Sequence, residues 1–209
     1  MAYKGILFDK QDQPILVSGE SGAEKTETAN FFMNHIATVQ EGPGSGSANN
    51  KESSLIVQRV LDSNPLLKAF GNAKTRWNGN SSRFGKCIQF QFDRHGNIGR
   101  ANAKLAGSKC GVYLLEKNRV ISHDPKERTF HIFYQLLAAP EKTKKQIWDG
   151  LANTNNESFK CVGPTDTHKI EGVSDGDQFK HTMDVLELIG LGATAKRAFL
   201  RAICVDLVC

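Results

Sequence analysis

The chain has 209 residues, is 39% hydrophobic and 23% charged, and carries a formal net charge of +5. This is the composition of an ordinary soluble protein of one or two domains. No apolar run is long enough to cross a bilayer and the N-terminus lacks a signal peptide's apolar stretch, so we expect a cytoplasmic protein without a membrane span. The lysines and arginines are scattered, which indicates no nucleic-acid partner.

The cysteines are odd in number and none forms a CxxC pair. The five are Cys87, Cys110, Cys161, Cys204 and Cys209. This pattern predicts neither a disulfide framework nor a zinc site, and we expect reduced, mostly buried thiols.

The first part of the chain has a strand–loop–helix pattern. Pro14–Ser18 is a short apolar run with β-branched residues and predicts a strand. A glycine-rich turn follows at Gly19–Gly22, and apolar residues at helical spacing then predict a helix from near Lys25. Residues 41–54, rich in Gly, Ser and Asn, predict a flexible surface loop.

The middle of the chain predicts a broken helix and then a strand. A helical pattern resumes at Leu55, is interrupted at Asn64-Pro65 and stops at Gly71. Lys86–Asp93 alternates apolar and polar residues, which is typical of a strand with one buried face. The turn residues 94–97 predict a hairpin after it.

The last third of the chain is mainly helical by pattern. Helices are predicted over Glu127–Ala139, which Pro140 ends, over Asp175–Leu191, and from about Thr194 onward. The predicted fold class is α/β. Strands Pro14–Ser18 and Lys86–Asp93 lie in one mixed sheet flanked by helices, and residues 127–209 form a mainly helical portion.

The glycine-rich turn has the composition of a phosphate-binding loop. Between the predicted strand and helix lie Gly19, Glu20, Ser21, Gly22, Ala23, Glu24, Lys25 and Thr26. Small residues let backbone N–H groups approach phosphate oxygens at a helix N-terminus. Lys25 would reach the β- and γ-phosphates and Thr26 would bind Mg²⁺. Glu24 stands where the pattern GxxxxGK[ST] has glycine, so a glycine-rich turn before an ordinary helix is the alternative.

Four segments occur in an order that resembles one known family. The polar loop 72–86, together with the loop 19–26, resembles switch I and the phosphate loop of the myosin motor ATPases. The segments Asn64–Gly71, Tyr113–Val120 and Glu127–Leu136 resemble myosin segments in the same order. The resemblance covers about residues 1–192.

The resemblance implies a partial P-loop NTPase fold and a function. Switch I would lie at residues 78–86, and residues 127–209 would resemble the helical upper 50K part of the motor domain. The full-length family couples ATP binding and hydrolysis to movement on actin. It implies ATP and Mg²⁺ as cofactors, actin filaments as a partner and a cytoskeleton-associated location.

The resemblance also implies roles for residues of both loops. The loop 19–26 would bind the nucleotide, with Thr26 and Ser82 as the Mg²⁺ ligands. Ser81 would place or deprotonate the attacking water, and Asn78 would contact the phosphates. Arg83 would pair with a glutamate of switch II. We therefore expect Ser81 and Ser82 to lie near Lys25 and Thr26 around one cavity.

The chain departs from the family pattern in four respects. Glu24 replaces a glycine, no adenine-binding segment precedes the loop, and residues 201–209 drift from the pattern. A switch II segment is also absent, which leaves Arg83 without its family partner. We expect a partial gene product, a mis-spliced form or a degraded copy, with open sheet edges, that binds ATP weakly and does not hydrolyse it measurably.

Three functional hypotheses remain open from the sequence. The chain is a fragment of an actin-based motor ATPase, a pseudo-ATPase that binds partners without turnover, or a different P-loop enzyme such as a kinase. Asn80–Arg83 and Leu114–Lys117 argue against the third. Glu24 and the missing switch II favour the second for this chain.

Overall fold

The computed structural model describes residues 5–6, 11–39, 49–93, 104–163, 165–167 and 169–208. They fall into two compact units, one of residues 1–62 and 86–111 and the other of residues 63–85 and 112–209. Among these described residues, no helix has both the length and the apolar character that spanning a membrane requires.

The described helices and strands alternate irregularly along the chain. In chain order they are α1 (Lys25–Val39), α2 (Asn49–Asp62), α3 (Asn64–Gly71), β1 (Asn72–Ala73), β2 (Ser81–Ser82), β3 (Gly85–Asp93), β4 (Lys104–Tyr113), α4 (His131–Leu137), α5 (Glu141–Ile147), α6 (Asp175–Leu188) and α7 (Ala193–Val208). Strand β1 pairs with β2 and β3 pairs with β4, giving two small sheets. The mixed α/β content of the prediction is present, but the sheets are small and separate.

The first unit has a small apolar core between its helices and β3. Met33 of α1, Val57 and Val60 of α2, and Leu105 of β4 are buried together. Residues of β3 alternate between exposed and half-buried, and its apolar side chains Ile88, Phe90 and Phe92 pack against this core. The strand with one buried face is therefore confirmed. The predicted turn at 94–97 lies outside the described residues.

The predicted strand Pro14–Ser18 is wrong. Residues 11–19 carry no strand, and Ile15 and Leu16 are exposed. A strand requires hydrogen bonds to a neighbouring strand. In the described part of the chain, β1 and β2 bond to each other, as do β3 and β4, so residues 14–18 have no ladder to join. The single sheet predicted to contain both Pro14–Ser18 and Lys86–Asp93 is therefore not formed.

The helix break at Asn64-Pro65 is confirmed, whereas the predicted flexible loop 41–54 is wrong over residues 49–54. α2 ends at Asp62 and α3 begins at Asn64, with the proline in its first turn. Proline lacks the N–H that a continuous helix would need there, but a first turn tolerates it. Residues 49–54 belong to α2 rather than to the predicted flexible loop, and residues 41–48 lie outside the described part.

The second unit is built around α4, a helix buried on every side. All seven of its residues are buried. They pack within a cluster that includes Leu151, Val162, Phe179, Leu200 and Leu207. A helix apolar on most of its faces must be enclosed by other elements, and α3 and α6 supply part of that enclosure.

α4 begins later than the predicted Glu127 because the preceding residues pair with another segment. The amide of Arg128 donates to the carbonyl oxygen of Lys74 at 3.0 Å. Phe130 forms an antiparallel bridge with Ala73 and has an extended backbone. Tertiary pairing thus replaces the first helical turn that the apolar spacing predicts.

The two C-terminal helices match the prediction closely. α6 covers Asp175–Leu188 and α7 covers Ala193–Val208. The thiol prediction is only partly right: all four described cysteines are free, but Cys87 and Cys110 are exposed. Among the described residues, no group of three or more His, Cys, Asp or Glu side chains could hold a metal ion.

Ser174→Ala is expected to destabilise the second unit by about 1 kcal/mol. The Ser174 side chain caps α6 by accepting a hydrogen bond from the Asp177 amide at 3.2 Å. Alanine leaves this amide without its acceptor. Urea denaturation measures the change, and Ser174→Asp, which keeps an acceptor, is the matched control. An alanine variant as stable as the wild type would contradict the capping role.

Candidate nucleotide-binding site

The loop of residues 19–26 folds back on its own lysine. The Lys25 ammonium donates to the carbonyl oxygens of Gly19 and Glu20 at 2.7 and 2.6 Å. The Ala23 amide donates to the Glu20 carbonyl at 3.2 Å. α1 begins at Lys25, so this positive group and the helix N-terminus lie at the same loop.

Glu24 adopts a backbone conformation that favours glycine. Its φ is 52°, in the left-handed region, and Gly22 in the same loop has a φ of 86°. A Cβ makes this region unfavourable by roughly 1–2 kcal/mol. The Glu24 carbonyl accepts from the Thr28 amide at 3.0 Å, so this backbone starts the hydrogen bonding of α1. Position 24 is therefore unusual in two ways: the sequence pattern has glycine there, and its backbone conformation is one that favours glycine.

The second loop is closed by the antiparallel pairing of β1 with β2. Asn72 lies opposite Ser82, and Ala73 lies opposite Ser81. Inside the loop, the Thr75 amide donates to the Asn78 carbonyl at 2.9 Å. The segment between the two strands is thus a hairpin-like turn instead of a freely solvated loop.

The predicted catalytic serine points into the protein. Ser81 is buried, and its hydroxyl lies 2.9 Å from the Thr75 hydroxyl. The neighbouring Ser82 is exposed. The Asn78 side-chain oxygen accepts from the Asn80 amide at 2.8 Å, which stiffens the turn. The roles assigned to Asn78, Ser81 and Ser82 stay predictions.

Asn80 connects the loop to the buried helix α4. Its side-chain oxygen accepts from the Asn72 side-chain amide at 2.8 Å and lies 3.2 Å from Nε2 of His131. Burial, and then the positive charge of Arg128, lower the pKa of His131 to about 4. The imidazole is therefore neutral at pH 7, and as the Nε2–H tautomer it donates to Asn80.

Arg83 has a carboxylate partner, contrary to the expectation that it lacks one. Its Nε donates to Glu116 at 2.6 Å, and the Glu116 amide donates to the Arg83 carbonyl at 3.0 Å. Partial burial raises the pKa of Glu116, but hydrogen bonds and charges from Arg83 and Arg119 outweigh it and hold this pKa below its ordinary value of 4.5. The partner lies in the segment 113–120, which sequence analysis selected only as a resemblance.

The loop between β1 and β2 is also held by carboxylates near its start, at Arg76. The Arg76 side chain pairs with Asp124, and its backbone amide donates to Glu127 at 3.3 Å. The Lys74 ammonium donates to the Lys126 carbonyl at 3.0 Å. Sequence reasoning missed these anchors because they join residues about fifty positions apart.

The site residues fall into two groups. Asn78, Ser81, Ser82 and Arg83 come together in the second unit, whereas the loop 19–26 belongs to the first. That the two groups face one cavity stays a prediction.

The side-chain chemistry of the loop 19–26 fits a phosphate group, with one exception. The ammonium of Lys25 and the hydroxyl of Thr26 stand at a helix N-terminus, and both are half-buried. Ammonium groups, hydroxyls and helix N-termini are the groups that bind phosphate and Mg²⁺ in nucleotide sites. The carboxylate of Glu24, directly beside them, is the group that does not suit an anion.

Comparison with known proteins gives the family. The chain is a mixed α/β protein of helices and small sheets. Residues 1–208 match the family described as myosin head (motor domain), and the chain belongs to this family. The match includes residues 201–208, so the expected drift at this end does not remove it from the family.

Three curated relatives illustrate the extent of the similarity. Myosin-15 of Arabidopsis thaliana is 38% identical over 203 residues, covering 97% of this chain and 12% of the relative. Myosin-2 of Saccharomyces cerevisiae is 39% identical, covering 91% and 11%. The myosin IB heavy chain of Dictyostelium discoideum is 38% identical, covering 97% and 17%. The chain thus spans only a small part of the length of these relatives.

Proposed function

We propose that this chain is the nucleotide-binding part of an actin-based motor ATPase, with residues 19–26 and 78–86 binding MgATP. The observation that carries the proposal is the placement of the Lys25 ammonium against the loop carbonyls at the N-terminus of α1. It occurs in a chain of the myosin head family. A cation at a helix N-terminus is the arrangement that receives a phosphate group.

Each proposed ligand group has a chemical task. Lys25 would bind the β- and γ-phosphates, and the hydroxyls of Thr26 and Ser82 would hold Mg²⁺. The metal, when bound, neutralises phosphate charge. Ser81 would place the attacking water and Asn78 would contact the phosphates, roles for which the Ser81 hydroxyl must leave Thr75 and the Asn78 side-chain oxygen must leave Asn80. Because phosphoryl transfer depends mainly on positioning and charge stabilisation, a rigid loop is the property these residues need.

The partners and location follow from the same proposal. Actin filaments are the proposed macromolecular partner, and the cytoplasmic cytoskeleton is the proposed location. The chain covers 12% of the first relative, so most of the surface that such a relative offers to partners lies outside it.

A second candidate function is a pseudo-ATPase module that binds partners without turnover. The observation that favours it is Glu24, which has a backbone φ of 52° and carries a carboxylate within the loop. It places negative charge and a Cβ where an anion would have to approach.

Calorimetric titration of the chain with MgATP tests the proposal. We expect saturable binding that Lys25→Met weakens at least about tenfold, since an ammonium–phosphate contact is lost. Lys180→Met is the matched control, because Lys180 lies on α6 with a 70% exposed side chain. Phosphate release in the same samples separates the two candidates. Binding with turnover supports the ATPase and contradicts the pseudo-ATPase, whereas no binding, or binding without turnover, contradicts the ATPase.

A further inference from the structure

Four charged side chains of the second unit alternate in sign along one connected chain of hydrogen bonds. Glu116 accepts from Nε of Arg83 at 2.6 Å and from Nε of Arg119 at 2.8 Å. Nη1 of Arg119 then donates to Glu127 at 2.9 Å and to the Arg128 carbonyl at 3.1 Å. Arg119 is thus the one cation in this set that contacts both carboxylates.

The two carboxylates hold opposite ends of residues 72–83, which comprise β1, β2, the turn between them and Arg83 and are called here the switch I-like loop. Glu116 binds Arg83, which directly follows β2. Glu127 accepts from the backbone amide of Arg76, at the start of the loop. Arg83 is therefore linked to Arg119 by Glu116, and Arg76 is linked to Arg119 by Glu127.

The burial of the Arg119 side chain makes its ion pairs important for the stability of the loop. This side chain is only 5% exposed and its partners Glu127 and Glu116 are 16% and 38% exposed, whereas the Arg76 side chain in its pair with Asp124 is 52% exposed. Exposed pairs contribute little, while removing one partner of a buried pair leaves an uncompensated charge. Without Arg119, Glu116 and Glu127 lose the cation that lies between them.

We propose that Arg119 is a positioning residue that holds both ends of the switch I-like loop as one unit, acting through Glu116 on Arg83 and through Glu127 on Arg76. The inference rests on the geometry of this loop and not on the proposed nucleotide function. Loop order can therefore be measured whether or not the chain binds ATP.

The geometry requires arginine and not merely a positive charge. Arg119 binds the two oxygens of Glu116 with Nε and Nη2, at 2.8 and 3.4 Å, while Nη1 donates to Glu127 at 2.9 Å. Lysine has one nitrogen, which cannot reproduce the planar fork. Arg119→Lys keeps the charge and tests the bridging geometry alone.

Amide hydrogen exchange measured by NMR is the test. The Arg83 amide, which donates to the Gly71 carbonyl at 2.9 Å, reports on one end of the loop, and the Arg76 amide reports on the other. In Arg119→Lys we expect both to exchange about tenfold faster relative to amides of α6. The Nε–H resonance of Arg83, protected while it donates to Glu116, is expected to broaden.

One control variant and one internal reference, the amides of α6, accompany the test. Lys144→Met removes another buried cation, also 5% exposed, from the same unit. It is expected to leave the ratio of loop to α6 exchange unchanged. Exchange that rises equally in the loop and in α6 of Arg119→Lys would make Arg119 a general stabiliser and overturn the proposal.

A second variant covers the case in which Arg119→Lys does not fold. Glu116→Gln weakens the contact to Arg83 directly and is expected to accelerate exchange at Arg76 as well, because Arg119 loses one of its two carboxylates. Faster exchange at Arg83 with no change at Arg76 would show that the two ends are independent, which overturns the proposal.

Discussion

Lowering the pH from 7 to 4 is expected to destabilise the second unit by roughly 3 kcal/mol through His131 alone. The pKa of this imidazole falls from its ordinary 6.5 to about 4 on folding, because burial and then the charge of Arg128 disfavour the protonated form. Below pH 6.5 the unfolded chain takes up a proton that the folded chain does not. Stability is therefore lost progressively until the pH reaches the folded value.

Urea denaturation at several pH values between 7 and 4 measures this slope. His131→Gln is the matched variant, since its side-chain nitrogen can still donate to Asn80 but does not titrate. We expect the variant to have a flatter stability profile over this range. Equal slopes in both proteins would show that His131 does not carry the acid sensitivity.

A second titratable group, Glu116, affects stability in a lower pH range than His131. The pKa of Glu116 lies below 4.5, so its ion pairs with Arg83 and Arg119 stabilise the folded state above that pH and are lost as the pH falls further. The contribution of His131 is lost between 6.5 and 4. The difference between wild type and His131→Gln isolates the histidine, because Glu116 is common to both.

Local sequence patterns predicted the elements whose hydrogen bonds or apolar contacts are local. The helix break before α3 depends on neighbouring residues, and the alternating strand Gly85–Asp93 pairs with β4, the next strand along the chain; both are present. The elements that failed depend on distant partners. Pro14–Ser18 has strand-forming residues, but a strand exists only where another strand bonds to it. Glu127–Phe130 has helical spacing, but its backbone pairs with residues near Ala73.

The residues of the candidate site could be predicted from the sequence, but their hydrogen-bond and ion-pair partners could not. The glycine-rich pattern and the family resemblance selected the residues of both loops. Neither could reveal that the Ser81 hydroxyl faces Thr75 or that Arg83 pairs with Glu116. These contacts depend on how the turn between β1 and β2 closes and on a segment thirty-three residues further along the chain. A motif specifies the chemistry available, while tertiary packing determines which groups are already engaged.

Glu24→Gly is expected to raise the affinity for MgATP with little change in stability. Two backbone effects oppose each other. Glycine relieves the left-handed strain at a φ of 52°, worth roughly 1–2 kcal/mol. It also increases the conformational freedom of the unfolded chain, which costs roughly 0.5–1 kcal/mol. The net change in folding stability is therefore about 1 kcal/mol or less, and a large change in affinity must come from the space and charge that the side chain occupies.

The charge effect depends on how much water surrounds the carboxylate. A like charge ~4 Å from a phosphate costs roughly 4 kcal/mol at an effective dielectric of ~20, but about 1 kcal/mol in bulk water. Glu24 is exposed, which places it nearer the second value. Since each ~1.4 kcal/mol is a factor of ten, the expected gain lies between about fivefold and about a thousandfold, toward the lower figure.

Calorimetric titration of wild type, Glu24→Gln and Glu24→Gly with MgATP separates charge from backbone. Glutamine removes the charge but keeps the Cβ and the left-handed backbone, so we expect it to recover part of the affinity. Glycine is expected to recover the rest, because it also removes the Cβ from the path of the phosphates. High salt should reduce the affinity difference between wild type and Glu24→Gln, because salt screens the charge effect. It should reduce the affinity difference between Glu24→Gln and Glu24→Gly much less, because that difference does not depend on charge. Equal affinities in all three proteins would show that Glu24 is harmless at this position. The pseudo-ATPase candidate would then lose the observation that favours it.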